Sequence, residues 1–180
     1  MKLLKKQKIN SLGFTFVETI VYIFVMTIIL MTISSLLLSA FNARKQSVAS
    51  YLIYNDARFM ANFLNNRIHN VGLIEDEAMP SEYLFYNLPD TRFDLILDNN
   101  NLLYREAIDT GSGFPDQSSA VVTTLNNQSV RVESFDLTAV ADGEGNANQG
   151  IKIDLLLATG QPSDAFAYKE RAFSFYISLR

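Results

Sequence analysis

The chain has 180 residues, 48% of them hydrophobic and 19% charged, with a formal net charge of −4. That length accommodates one anchor segment and one modest globular domain, since single domains commonly run about 100–150 residues. The lack of cysteine excludes a disulfide framework and thiolate metal sites, and the acidic balance disfavours binding to phosphate backbones.

Residues 1–13 carry Lys2, Lys5, Lys6 and Lys8 and no acid. By the positive-inside rule such a segment stays cytoplasmic while the C-terminal body crosses the membrane. Phe14 to Leu38 is then an apolar run holding one charge, Glu18, and neither proline nor glycine. About 20 helical residues at roughly 1.5 Å each cover the hydrocarbon core, so the run is long enough to span it. A carboxylate at the middle of a membrane helix is unfavourable by roughly 2.5–3.5 kcal/mol, which makes Glu18 a functional candidate in need of a partner. The competing reading places Glu18 one turn from the border, where it reaches headgroup water. A cleavable secretory signal fits poorly, because its apolar core of about 7–15 residues precedes a cut at small residues. Here Ser39-Ala40-Phe41-Asn42-Ala43 is a weak small-x-small site, and the better cut lies before the apolar run.

Beyond Leu38 the pattern turns amphipathic, with no helix breaker before Gly72. At 100° per residue, Val48, Ala49, Leu52, Ile53, Ala57, Phe59, Met60, Phe63, Leu64, Ile68 and Val71 share about half the circumference. Arg44, Ser47, Tyr54, Asn55, Arg58, Asn62, Asn65 and His69 lie opposite. Asp56 and Arg67 fall inside the apolar arc, and the expectation is that they reach water from its edge. A helix from Phe14 to Val71 would be about 87 Å long, more than a domain of this size can bury. Its first half is therefore expected in lipid or between other helices, and its second half against a sheet. Gly72 is the expected stop.

The acidic run Glu75-Asp76-Glu77 reads as a solvated loop, and from Ser81 onward the period becomes two. Arg92 to Asp98 alternates Phe93, Leu95 and Leu97, and the turn Asn99-Asn100-Asn101 leads into Leu102 to Ile108 as a hairpin. Asp109 to Ser119, with Gly111, Gly113 and Pro115, reads as a loop. Val121 to Leu125 and Val130 to Ala141 are strand candidates joined at Asn126-Asn127-Gln128. Ile151, Ile153, Leu155 and Leu157 alternate cleanly, as do Phe173, Phe175, Ile177 and Leu179. The expected fold class is α+β: one long N-terminal helix packed on an antiparallel sheet.

The stretch LGFTFVETIVYI from Leu12 to Ile23 resembles the cleavage and methylation signal of type IV pilins and pseudopilins. In that family a basic leader ends in Gly, a prepilin peptidase cuts after it, the new first residue is N-methylated, and the fifth mature residue is Glu. The resemblance places cleavage between Gly13 and Phe14, methylation at Phe14, and the assembly glutamate at Glu18, paired with the new Phe14 amine on the same or a neighbouring subunit. It also implies the pilin-like fold and this division: a leader (1–13), a membrane or filament-core helix (14–38), an amphipathic continuation (39–72) and a β-sheet domain (73–180). Cleavage would leave 11 basic against 19 acidic residues, a formal charge of −8. Many major pilins close a C-terminal loop with a disulfide, which this chain lacks. It looks more like a pseudopilin or minor pilin, with features similar to J-type minor pseudopilins of type II secretion and to competence pseudopilins.

The resemblance implies a single-pass protein of the cytoplasmic membrane, with a cytoplasmic N-terminus, that ends in an extracytoplasmic or cell-surface filament. Implied partners are a prepilin peptidase, sister pilins or pseudopilins in the filament, the inner-membrane assembly platform, and membrane lipid before assembly. Secretion, DNA uptake, adhesion and motility all remain open as the work of the fibre. The runner-up is a monomeric, signal-anchored extracytoplasmic binding or sensor domain.

Asp142, Glu144 and Asn146 alternate like a calcium loop, but Ala147 and Ile153 stand where an EF-hand needs glycine and a bidentate glutamate. A solvated turn is the simpler reading, and no metal or other cofactor is expected. His69, the single histidine, has no second histidine or cysteine to complete a zinc site. With no G-x-S-x-G elbow, P-loop or dinucleotide fingerprint, and with Asp94, Asp98 and Glu106 as ordinary acids on and around strands, catalysis is not expected.

Overall fold

A computed structural model describes residues 15–71, 73–76, 83–87, 90–115, 119–140 and 150–179. The elements are α1 (Phe16–Ile68), β1 (Leu73–Asp76), β2 (Tyr83–Asn87), β3 (Thr91–Asp98), β4 (Asn101–Ile108), β5 (Val121–Thr124), β6 (Val130–Val140), β7 (Gly150–Thr159) and β8 (Lys169–Ser178). The chain divides after Asn42 into two units.

Uninterrupted by proline or glycine, α1 runs for 53 residues. Its start is set by Thr15, whose Oγ1 accepts a hydrogen bond from Glu18 N at 3.3 Å while Thr19 N donates to Thr15 O at 3.2 Å. That is the side-chain half of a Thr-x-x-Glu capping box, satisfying an amide that the helix ladder leaves open. At the other end α1 stops at Ile68, and Val71 N donates to Ile68 O at 3.0 Å. Gly72, the expected stop, lies outside the described residues.

In the second unit α1 buries Ala49, Ile53, Asp56, Ala57, Met60, Leu64 and Ile68, a three-and-four spacing that keeps one face on the core. Val48 and Phe59, assigned to that face by the sequence, stay about half exposed. Two antiparallel sheets complete the unit rather than the single sheet expected: β1-β2-β3-β4-β5 and β6-β7-β8. One core joins helix and both sheets, with Phe85, Phe93, Leu95 and Leu102 from the first and Val132, Ile151, Ile153, Leu155 and Leu157 from the second. An aromatic chain links α1 to the first sheet: Phe85 stacks on Phe93 at 5.0 Å, Phe93 meets Tyr104 at 5.1 Å, and Phe63 of α1 meets the same Tyr104 ring edge-on at 5.1 Å.

Three local features set the sheets. The β3–β4 hairpin closes through Asp98 and Asn101, leaving Asn99 and Asn100 as a two-residue turn with φ of 48° and 62°. Asparagine tolerates that left-handed conformation, which matches strand twist in such hairpins. The turn tip then docks on the second sheet, with Val132 N donating to Asn100 O at 2.9 Å and Asn100 Nδ2 to Val132 O at 3.2 Å. Finally, the β6–β7 register slips between Val132 and Ser134. This bulge at Glu133 turns Phe135 and Leu137 back to the face that Val130 and Val132 occupy.

Several expectations change. Strand pairing begins at Leu73, so Glu75 and Asp76 belong to β1, paired with Leu84 and Tyr83 of β2, and not to a loop. The strands flanking Asn126-Asn127-Gln128 are both present, yet they edge different sheets and do not pair with each other.

Candidate functional site

The first unit contributes the N-terminal part of α1, whose apolar side chains are almost all exposed; Phe16 is 80% and Met31 74% accessible. This helix is long and apolar enough to cross a membrane. Three of its hydroxyls bond back within the helix: Thr27 Oγ1 donates to Ile23 O, Thr32 Oγ1 to Ile29 O and Ser34 Oγ to Leu30 O, each at 2.8 Å. Such back-bonding lowers the polar demand of these three side chains on an apolar surrounding. Glu18 is the exception. It occupies the third helical position, exposed, with no ion pair to its carboxylate among the described residues. A carboxylate there lies at the positive end of the helix dipole. Gly13 and Phe14, the proposed cleavage and methylation residues, lie outside the described residues, as do Asp142, Glu144 and Asn146.

Thr15 was not singled out from sequence, although Thr-x-x-Glu ahead of an apolar run was the available signal.

In the second unit, the two arc charges of α1 part from each other: Arg67 reaches water as expected, its side chain 45% accessible, and Asp56 does not. Asp56 is only 6% exposed and its Oδ2 accepts a hydrogen bond from Asn127 N at 2.7 Å. Burial pushes its carboxyl above the ordinary range, with the Asn127 amide acting the other way. It does not reach water. Arg67 pairs within the chain, 3.6 Å from Glu106 Oε1, with its guanidinium over the Phe63 and Tyr104 rings. Burial, with Glu106 alongside, pushes the Tyr104 hydroxyl above the usual tyrosine range.

Asp94 is 2% exposed and is gripped by Arg105, which stands directly opposite it on β4 and donates through both Nε and Nη2, the former at 2.8 Å. Lys45 of α1 binds Asp164 at 3.1 Å, and that contact with the Phe166 and Ala167 amides lowers the Asp164 carboxyl. His69 is half-buried, its Nδ1 2.9 Å from Ser178 O, so the ring ties the turn after α1 to the last strand.

Two shallow clefts open on this unit. One, about 590 Å³, is lined by Asn101, Thr124, Asn126, Asn127 and Gln128; the other, about 360 Å³, lies beside the β6 bulge against Ser134, Asp154, Leu156 and Ser174. The first presents amides and a hydroxyl and no titratable group. No cluster of three His, Cys, Asp or Glu able to hold a metal ion occurs among the described residues. Asp94 and Glu106 are each engaged by an arginine. Compared with family models, with curated proteins and with solved structures, the chain finds no match.

Proposed function

We propose that this chain is a prepilin-like minor subunit, inserted by its apolar helix, cut between Gly13 and Phe14, and assembled into a type IV pilus or pseudopilus. The observation that carries the reading is the single charge of the apolar segment, Glu18, four residues after the basic leader's Gly-Phe junction. Cleavage would create an α-amine at Phe14. An amine and a carboxylate in apolar surroundings offset each other's desolvation, whereas either alone is strongly unfavourable there. The exposed apolar surface of the segment fits lipid before assembly and neighbouring helices afterwards. The second unit, with its helix face covered by two sheets, is the part that faces outward. Prepilin peptidase, sister subunits and the inner-membrane assembly platform are the partners of this reading.

The capping position of Glu18 supplies a discriminating experiment. Glu18→Gln keeps a residue suited to the third position of a capping box but removes the charge. In the assembling host, Glu18→Gln and Glu18→Ala should both be cleaved and both fail to enter fibres, while native subunits recovered from fibres begin at Phe14. Incorporation of Glu18→Gln would reduce Glu18 to a helix cap. Fibre subunits that still begin at Met1 would overturn the reading altogether, and a membrane form beginning at Met1 and never found in fibres would favour the anchored monomeric domain.

A further inference from the structure

Among the described residues the first sheet ends at β5, a four-residue edge strand without lysine, proline or bulge. All four residues, Val121, Val122, Thr123 and Thr124, are exposed, with Val121 at 69% and Val122 at 53%. Natural edges are commonly blunted by shortness, lysine, proline or a bulge, and of these β5 has only its shortness. From Val121 to Ser129 the sequence holds no charge and no proline, and the β4–β5 register is regular.

The direction of the open backbone groups follows from the pairing. Leu125 N donates to Leu102 O at 2.8 Å, so Leu125 faces β4. In an antiparallel ladder the hydrogen-bonded residues alternate. Thr123 and Val121 therefore also turn their N–H and C=O groups to β4, while Thr124 and Val122 turn theirs to the open edge. The cleft of about 590 Å³ continues that edge, since Thr124 lines it together with Asn101, Asn126, Asn127 and Gln128.

Beneath the cleft the backbone is fixed. Asn126 is 8% exposed; its Oδ1 accepts from Leu102 N at 2.9 Å and its Nδ2 donates to Val130 O at 2.7 Å. Asp56 of α1 holds Asn127 N. Asn127 Oδ1 is taken by Ser129 N at 3.0 Å, which leaves its Nδ2, the Gln128 amide and the Thr124 hydroxyl directed at solvent without a hydrogen bond among the described residues.

We infer that β5 and the asparagine cleft form a docking edge for an extended, uncharged peptide segment of a partner protein, added as a sixth strand to the first sheet. The edge offers four backbone groups at strand spacing, the chemistry of β-strand addition, and the amides beyond it can donate to and accept from a continuing main chain. The lack of charge along the strip selects against charged segments, which would lose hydration without a counter-charge. A second copy is the weaker occupant. Two four-residue edges laid together fall well short of the roughly 1,200–2,000 Å² that a stable protein interface buries.

This inference stands independently of leader cleavage and fibre entry. The test uses the full chain in detergent micelles, the capped peptide acetyl-Thr-Val-Thr-Val-Thr-Val-amide as probe, and amide hydrogen exchange read residue by residue. At peptide about tenfold above its dissociation constant, exchange at Val122 and Thr124 should slow about tenfold, with Val121 and Thr123 little changed. Val122→Pro removes one outward N–H without breaking the β4 ladder and should abolish the effect. Thr124→Lys, which keeps the backbone, should weaken it at least severalfold. No protection at millimolar peptide, protection centred elsewhere, or protection that rises with protein concentration in the absence of peptide would each overturn the assignment.

Discussion

Removal of Arg105 should harm the fold more than removal of Asp94, although the two form one ion pair. Asp94 sits between Phe93 and Leu95 on β3 with its side chain 3% accessible, whereas the Arg105 side chain retains 23%. Breaking a buried pair by deleting one partner commonly costs about 3–5 kcal/mol, most of it the stranded charge. Arg105→Met strands a carboxylate with no route to water, so its cost should fall near the top of that range, about 4 kcal/mol. Asp94→Leu leaves a guanidinium that still reaches solvent, and about 2 kcal/mol is expected. The double variant, apolar at both positions, should lie within about 1 kcal/mol of the parent, because two apolar side chains of similar volume replace the pair without a stranded charge. Thermal unfolding of the detergent-solubilised chain gives the readout, at roughly 2–4 °C per kcal/mol for this size. Arg105→Met should therefore lower Tm by about 8–16 °C, and Asp94→Leu by about half as much. Equal losses from the two single variants, or a double variant as unstable as their sum, would refute burial asymmetry as the cause.

Two further outcomes follow from particular contacts. Because burial raises the Asp56 carboxyl above its ordinary value of 3.8, the native chain holds that proton to higher pH than the unfolded chain does. The associated stability is fully present below the unfolded value and is lost as pH rises through the folded one. Asp56→Asn should thus gain on the parent as pH climbs above about 4, checked by urea unfolding across a pH series; a constant difference would contradict it. At Gly160, φ is +73° and an added Cβ would lie 2.5 Å from Ala167 O, while at Gly111, φ is +84° with nothing within 4 Å. Gly160→Ala should cost about 2–4 kcal/mol and Gly111→Ala about 1 kcal/mol, measured side by side in Tm.

The local periodicities were readable before the fold was known. Phe93, Leu95 and Leu97 alternate because a strand repeats every two residues, and Asn99-Asn100 marks the hairpin because asparagine enters the left-handed region. Asp56 was not readable in the same way. Its burial depends on an amide 71 residues away, and nothing near it in sequence reports that partner. Val48 and Phe59 show the converse: they satisfy the helical period, yet the sheets cover a narrower face than the apolar residues could fill.

Of the candidate functional segment, sequence alone determined the apolar helix, its single acid and the basic stretch before it, because a membrane-length apolar run needs no tertiary partner to be recognised. Sequence also determined most of the strands, since each carries its own alternation. Only the tertiary structure decided that β5 and β6 part into different sheets, that a bulge at Glu133 re-aims β6, and that β5 is the edge of its sheet among the described residues. Those outcomes rest on pairings between distant residues, and pairing is a choice among competing neighbours that no single strand's pattern contains.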